Sequence, residues 1–259
     1  MKIPIYQIDA FADEVFEGNP AAVCPLERWL DDDILQSIAL ENNLSETAFI
    51  VKENGGFHLR WFTPGAEVNL CGHATLATAF VLFYYFKYSQ KAIQFNTRSG
   101  KLTVCREGEL LSMNFPAYQL KPCVPPDDLL DAFSKKPDKV LQTDDYLVIF
   151  PSEKIVQNLS PSMDKLEKLD LRGVIVTAQG DEVDFVSRFF APGLGISEDP
   201  VTGSSHCSLV PYWARELNKK ELLARQISSR GGKLHCRLEE NRVVIAGKAV
   251  PYLEGYIQI

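Results

Sequence analysis

Short stretches rich in β-branched and aromatic residues punctuate the chain, each bounded by glycine, asparagine or proline, a pattern typical of β-strands. The first half contains six predicted strands: Ile3–Phe11, Ala48–Lys52, Phe57–Phe62, Ala92–Asn96, Leu102–Arg106 and Leu110–Phe115. The second half contains four: Tyr146–Phe150, Gly173–Thr177, Val183–Phe190 and Val243–Ala246.

Two kinds of helical pattern separate these strands. The segment Asp31–Glu41 has apolar residues at helical spacing and acids in its first turn, which predicts an amphipathic surface helix. The segment Ala74–Phe86 is apolar almost all round, which predicts a helix buried on every side. A third helix is predicted from Ser204 to about Leu217, and Pro211 is expected to kink it or shorten its first part.

The chain contains an internal repeat. The segments FHLRWFTPG (Phe57–Gly65) and FVSRFFAPG (Phe185–Gly193) match at five of nine positions. TRSGKL, from Thr97, is echoed by SRGGKL, from Ser229, and the glycines of CGHAT and TGSSH fall between these pairs at nearly the same offset. Two copies are too few for a solenoid, so the repeat indicates a duplicated domain.

The boundary between the two copies is predicted in the proline-rich segment PAYQLKPCVPP. This gives an N-terminal lobe of residues 1–116 and a C-terminal lobe of residues 117–259. It leaves open whether the final strand returns to the N-terminal lobe. Superposing the two lobes should align Gly72 with Gly203 and Arg98 with Arg230.

Composition excludes several classes of protein. The 259 residues carry a formal net charge of −7, so a broad basic surface for nucleic acid or anionic lipid is not expected. The longest apolar stretch is shorter than a membrane span, and the N-terminal segment alternates like a strand instead of resembling a signal peptide. Six dispersed cysteines without a CxxC motif indicate reduced thiols and no zinc site, so a cytoplasmic protein is expected.

A glycine opens the central helix of each copy, at Gly72-His73 and at Gly203-Ser204. The start of a helix presents unpaired N–H groups and a partial positive charge, which together suit a carboxylate. Ordinary helix caps, with Thr202 or Ser204 as N-cap, are the alternative. The duplication favours binding, because equivalent helix starts would converge on one cleft.

The two motifs differ in chemistry. The first offers the thiol of Cys71 and the imidazole of His73, whereas the second, EDPVTGS, offers carboxylates and hydroxyls. Glu46, in Ser45-Glu46-Thr47, precedes an apolar strand, and its counterpart in the second copy falls around Arg172. Burial would raise the pKa of Glu46 and let it act as a general acid and base. A solvated turn glutamate is the alternative.

Four ordered motifs together resemble the PhzF-type isomerases of phenazine biosynthesis and their relatives: GNPAAV, NLSETAF, FTPGAEVNLCGHATLATA and EDPVTGSSH. The resemblance covers essentially the whole chain. It implies an α+β fold like that of diaminopimelate epimerase, in which two similar lobes related by a pseudo-twofold axis each form an antiparallel β-barrel around a central helix. The active site would lie between the lobes.

The resemblance also implies residue roles. Glu46 would move a proton on a cyclic or unsaturated carboxylic acid, and His73 would orient the substrate and shape the local charge. Asp199 and Ser204 would complete the polar network. Backbone N–H groups of Gly72, His73, Gly203 and Ser204 would bind the substrate carboxylate. Such a proton shift needs neither a metal nor an organic cofactor. Homodimerisation fits the family, although no motif in the chain indicates it.

Two other functions remain open. An epimerase or racemase could use Cys71, which stands where relatives carry one of two catalytic cysteines, but the matching position in the second copy falls near Pro200 and offers no thiol. A non-catalytic protein that binds a small carboxylate could use the same helix starts. The combination of Glu46, His73, Asp199 and Ser204 favours catalysis by proton transfer.

Overall fold

A computed structural model of the chain describes residues 1–53 and 55–259, which form two compact units. Unit 1 comprises Met1–Asn114 and Ala246–Ile259, and unit 2 comprises Phe115–Ile245. The chain therefore starts unit 1, builds all of unit 2, and returns to unit 1 for its final strand.

The described residues of unit 1 form two helices and a mixed sheet. The helices are α1 (Asp32–Asn42) and α2 (Gly72–Tyr84). The strands are β1 (Lys2–Ala10), β2 (Asn19–Leu26), β3 (Glu46–Glu53), β4 (Gly56–Phe62), β5 (Glu67–Val68), β6 (Ala92–Thr97), β7 (Gly100–Glu107), most of β8 (Leu110–Pro116), and β18 (Ala249–Gln258).

Unit 2 contains four helices and the remaining strands among its described residues. The helices are α3 (Asp127–Asp131), α4 (Glu153–Gln157), α5 (Met163–Leu166) and α6 (Gly203–Glu216). The strands are β9 (Lys121–Pro122), β10 (Lys139–Gln142), β11 (Tyr146–Ile149), β12 (Val174–Gln179), β13 (Phe185–Ala191), β14 (Ile196–Asp199), β15 (Glu221–Gln226), β16 (Gly232–Glu239) and most of β17 (Arg242–Gly247).

The two units repeat one order of strand pairing. In unit 1, β1, β2, β3, β4, β6 and β7 pair in turn as antiparallel, parallel, antiparallel, parallel and antiparallel neighbours. In unit 2, β10, β11, β12, β13, β15 and β16 pair in the same sequence of directions. Each unit also places its long helix, α2 or α6, at the corresponding point of this order.

The prediction of purely antiparallel pairing was wrong. Parallel neighbours need a crossover connection, and here α1 and α2 lie within such crossovers in unit 1 while α4, α5 and α6 do so in unit 2. Strand direction is set by these connections and not by the pattern of apolar residues.

Every predicted strand and helix overlaps an observed one, but several strands escaped prediction. The strand β2 carries Pro20 and Pro25, which are poor strand formers, and no residue of β18 is buried. The strand β18 pairs antiparallel with β1 from Lys2 opposite Gln258 to Ala10 opposite Ala249. Beyond that ladder, the Ile259 N–H donates to the Met1 carbonyl at 2.9 Å.

The helix α2 is the centre of unit 1, where it contacts β1, β2, β3, β7 and β18. Its residues from His73 to Phe83 are buried apart from Phe80, as the all-round apolar pattern predicts. The buried hydroxyls of Thr75 and Thr78 donate to carbonyls one turn back, so they add no unpaired polar group. Burial ends at the last residue of the helix: Tyr84 is exposed, and so is Phe86 just beyond it.

Of the two effects expected of Pro211, a kink or a shortened first part, the second does not occur, because α6 runs through Pro211 without ending. Proline lacks the N–H that would bond the carbonyl four residues earlier, that of Cys207. The backbone N–H of Tyr118 donates to this carbonyl at 2.9 Å. The segment after β8 thus supplies the hydrogen bond that Pro211 cannot.

Candidate active site

Glu46, Cys71 and His73 converge at the start of α2. Glu46 is the first residue of β3, Cys71 directly precedes α2, and His73 is the second residue of that helix. The His73 Nε2 atom lies 3.0 Å from a carboxylate oxygen of Glu46, and both side chains are largely buried. The Cys71 Sγ atom lies 3.5 Å from His73 Nδ1. The structure therefore brings together two of the predicted catalytic residues.

The charges of Glu46 and His73 stabilise each other. Burial tends to raise the pKa of Glu46, but the charge of His73 and hydrogen bonds from His73 and Cys71 outweigh it and hold that pKa below its ordinary value. Burial tends to lower the pKa of His73, yet Cys71 and Glu46 raise it well above its ordinary value. The predicted increase in the pKa of Glu46 was wrong, because the nearby imidazolium favours the carboxylate more than burial disfavours it.

Cys71 is a buried thiol. Burial, together with the negative charge of Glu46, raises its pKa to about 11, so it is protonated near neutrality. A carboxylate oxygen, an imidazole nitrogen and this sulfur lie within 4.8 Å of one another, a set of atoms that could coordinate a divalent ion such as zinc. Coordination would first require the thiol proton to leave and the Glu46–His73 pair to break. The expectation of a metal-free site stays a prediction.

In unit 2, Asp199 lies at the end of β14, just before α6. Its carboxylate accepts a hydrogen bond from the hydroxyl of Thr202, the residue that precedes Gly203 and the helix. Thr202, and not Pro200, therefore occupies the place that Cys71 occupies before α2. The Thr202 hydroxyl is directed at Asp199 and does not cap a helix N–H.

Gln226, which the sequence interpretation missed, holds this turn in place. Its side-chain oxygen accepts from the Thr202 N–H at 2.9 Å, and its amide nitrogen donates to the Asp199 carbonyl at 2.8 Å and to the Thr202 hydroxyl at 3.1 Å. Gln226 is completely buried at the end of β15. The strand β15 was not predicted, so the sequence carries no signal for this role of Gln226.

Ser204, the second residue of α6, contacts Arg172. The Arg172 Nη2 atom donates to the Ser204 hydroxyl oxygen at 3.1 Å, and the guanidinium also pairs with the carboxylate of Asp145. Asp199 and Ser204 thus bond to different partners in the same segment of unit 2. Arg172 stands out in the sequence only as the approximate counterpart of Glu46.

The strand registers refine that correspondence. Phe62 and Phe190, equivalent in the repeat, lie opposite Thr47 and Val174 respectively. Glu46 therefore matches Gly173, and Ser45 matches Arg172. One copy places an acid beside the start of its long helix, and the other places a guanidinium there.

Comparison with known proteins identifies the family. Residues 8–255 match the PhzC-PhzF family, described as phenazine biosynthesis-like protein. The chain belongs to the PhzC-PhzF family. It is 54% identical over 259 residues to an uncharacterized isomerase of Pseudomonas aeruginosa, with all of both chains covered. The crystal structure of a PhzF-family phenazine biosynthesis protein of Enterococcus faecalis has a TM-score of 0.98 and 47% identity, with both chains fully covered.

A more distant structure shares the fold alone. The hydroxyproline epimerase of Agrobacterium vitis has a TM-score of 0.62 at 9% identity, with 99% of this chain and 92% of that chain covered. The PhzC-PhzF assignment confirms the family resemblance seen in the motifs. Together with the named isomerase relative, it supports an isomerase activity for this chain. Among the described residues, the structure contains no helix long and apolar enough to span a membrane.

Proposed function

We propose that the protein is a cofactor-independent isomerase that moves a proton on a small carboxylic acid, with Glu46 as the proton-transferring group. The observation that carries the proposal is the buried pair of Glu46 and His73, whose nearest polar atoms are 3.0 Å apart at the start of α2. The lowered pKa of Glu46 keeps this largely buried carboxylate ionised, so it is available to accept a proton from a bound substrate.

The direction of the pKa shifts specifies how the cycle begins. Glu46 starts as a carboxylate and His73 as an imidazolium. Glu46 takes a proton from a carbon of the substrate, and the electron pair released moves into the conjugated system. The protonated Glu46 then returns the proton to another carbon of that system. The His73 imidazolium stays beside Glu46 throughout and limits the charge change in the buried site.

Binding of the substrate carboxylate is assigned to the starts of the two long helices. We propose that backbone N–H groups of Gly72 and His73, and of Gly203 and Ser204, bind this carboxylate while Asp199 contacts the polar part of the substrate. This assignment includes the finer fold implied by the family resemblance, with two barrels, a pseudo-twofold axis and a site between the lobes. A crystal structure with a bound carboxylate would test both.

The epimerase alternative is less well supported. A two-thiol mechanism needs a cysteine on each face of the substrate, one as the thiolate that removes the proton and one as the thiol that returns it, whereas the pKa of Cys71 is raised to about 11 and the matching position holds Thr202. A non-catalytic carboxylate-binding protein would need no buried acid paired with a histidine. The proposed proton shift uses the buried Glu46–His73 pair and needs no second thiol.

The proposal can be tested before the substrate is identified. Wild-type protein and the Glu46→Gln variant are incubated in deuterated water with a metabolite extract, and mass spectrometry follows deuterium uptake into small carboxylic acids. We expect at least one acid to gain deuterium or to isomerise with the wild type, and its rate to fall by about two to four orders of magnitude in Glu46→Gln.

The control is Cys71→Ala. It should retain most of the rate, because the Cys71 thiol is protonated near neutrality and cannot act as the base. Full activity of Glu46→Gln would refute the proposal. Loss of activity in Cys71→Ala with Glu46→Gln unaffected would favour the epimerase. An acid that binds without any isotopic or isomeric change would favour the binding protein.

A further inference from the structure

The guanidinium of Arg172 is held in a fixed orientation by a buried acid. Asp145 is 1% exposed, and its carboxylate accepts from Arg172 Nε at 2.9 Å and from Arg172 Nη2. This bidentate contact occupies one edge of the planar fork. Because both bonds must form together, the guanidinium has little freedom to turn about its own axis.

The outer edge of the same guanidinium faces Ser204. Nη2 donates to the Ser204 hydroxyl oxygen, so that the hydroxyl hydrogen is free to point elsewhere. Among the residues that the structure describes, Arg172 Nη1 has no hydrogen-bond partner, and the Arg172 side chain is 38% exposed. Two hydrogen-bond donors, Arg172 Nη1 and the Ser204 O–H, therefore lie next to each other at the exposed end of the Arg172 side chain.

This pair of donors matches a planar anion. A carboxylate can accept from a guanidinium nitrogen with one oxygen and from a hydroxyl with the other, and arginine suits such two-point recognition better than lysine. The Asp145 carboxylate contacts Nε and Nη2, so it lies on the edge of the guanidinium away from Nη1. The neighbouring Asp144 is exposed, so solvent screens its charge from the site.

We infer that Arg172 determines the specificity of the site for a carboxylate, binding it through Nη1 together with the Ser204 hydroxyl; this inference rests on the proposed function. Arginine stays protonated at all relevant pH values, so Arg172 supplies a fixed positive charge and exchanges no proton. The position of this charge beside Ser204 makes a carboxylic acid, and not its amide or ester, the preferred ligand class.

Calorimetric titration with two matched pairs of probes tests the inference: benzoate against benzamide, and cyclohex-1-ene carboxylate against its primary amide. Wild-type protein should bind at least one carboxylate more tightly than its amide. In Arg172→Lys, which keeps a cation beside Asp145 but loses the fork, carboxylate affinity should fall about ten- to hundredfold while amide affinity changes less than about twofold.

Two further variants keep the result interpretable. The double variant Asp145→Asn with Arg172→Gln removes both charges without leaving a buried ion unpaired, and it should lose the preference for carboxylates. Arg215→Lys, which alters an exposed arginine on α6 paired with Glu216, should bind as the wild type does. A wild type without carboxylate preference, or Arg172 variants that keep it, would overturn the inference.

The outcome is separable from that of the proposed function. Deuterium uptake reports on Glu46, whereas the calorimetric preference for a carboxylate over its amide reports on Arg172, so each assay can fail without the other. If deuterium uptake depends on Glu46 while Arg172→Lys keeps carboxylate selectivity, the proton-transfer proposal stands and the role of Arg172 is refuted. The reverse combination would retain Arg172 as the specificity residue and refute Glu46.

Discussion

Replacing Glu46 by glutamine should destabilise the protein in a way that depends on pH. The substitution keeps the size of the side chain but removes the charge that lies 3.0 Å from His73 Nε2. Removing one partner of a buried ion pair costs about 3–5 kcal/mol when the other remains charged. His73 can avoid part of this cost by losing its proton, which is easy at high pH and difficult at low pH.

The sign follows from the two pKa shifts. The raised pKa of His73 contributes stability that is fully present below its ordinary value of 6.5 and is lost as the pH rises through the folded-state pKa. The lowered pKa of Glu46 contributes stability that is present above its ordinary value of 4.5 and is lost as the pH falls through the folded-state pKa. The full effect of the pair therefore lies between these two ordinary values.

In the variant, burial acts on His73 without the opposing carboxylate, so the pKa of His73 should fall relative to the wild type. The variant should then lose stability on acidification through the range in which the wild type has its full stabilisation. We expect a loss of about 3 kcal/mol or more near pH 5.5 and a markedly smaller loss near pH 8.5.

Urea unfolding at the two pH values gives the free energies, and histidine NMR gives the protonation of His73 directly. The spectra can be assigned with His73→Gln, since the chain has four histidines. An equal loss of stability at both pH values, or a His73 that titrates identically in the wild type and Glu46→Gln, would refute the ion-pair account.

Two other predictions concern the backbone. Gly18→Ala should lower the free energy of unfolding by about 2 kcal/mol or more, because Gly18 has φ +67° and the new Cβ would lie 2.2 Å from a backbone oxygen. The control Gly65→Ala should change it little, because the nearest atom to its new Cβ would be 3.9 Å away. Equal effects of the two substitutions in urea unfolding would contradict this prediction. Pro211→Ala should change the free energy of unfolding by less than about 1 kcal/mol, because the Tyr118 N–H already donates to the Cys207 carbonyl. A gain near 3 kcal/mol, as expected when a proline is removed from an ordinary helix interior, would show that the Tyr118 hydrogen bond does not replace the one that Pro211 cannot make.

The sequence could predict those features that depend on local patterns. The all-round apolar segment that begins at Ala74 predicts a buried helix, and the structure surrounds α2 with strands. The repeat around Phe57 and Phe185 places both residues in corresponding strands. The direction of neighbouring strands was not predictable in this way, because it depends on where long connections bring the chain back.

The candidate site shows the same division. The motifs place Glu46 and His73 in the sequence, but only the folded chain shows the 3.0 Å contact between them, and that contact reverses the direction of the pKa shift expected for Glu46. Gln226 and Arg172 stand in segments without a recognisable motif. Their partners lie more than twenty residues away in the sequence, so local patterns carry no trace of these contacts.

The antiparallel ladder between β1 and β18 has a consequence for the order in which the chain can fold. Unit 2 is one continuous segment, Phe115–Ile245, whereas unit 1 cannot complete its sheet until Ala249–Gln258 is available. Closing so long a loop is entropically costly and slow. Since the Ile259 N–H already reaches the Met1 carbonyl, a short linker joining residues 259 and 1 would turn this distant pairing into a hairpin. In such a circular permutant, with its new ends placed in an exposed turn of unit 2, the residues of unit 1 would be continuous in sequence. Unit 1 should then fold faster than in the natural chain order.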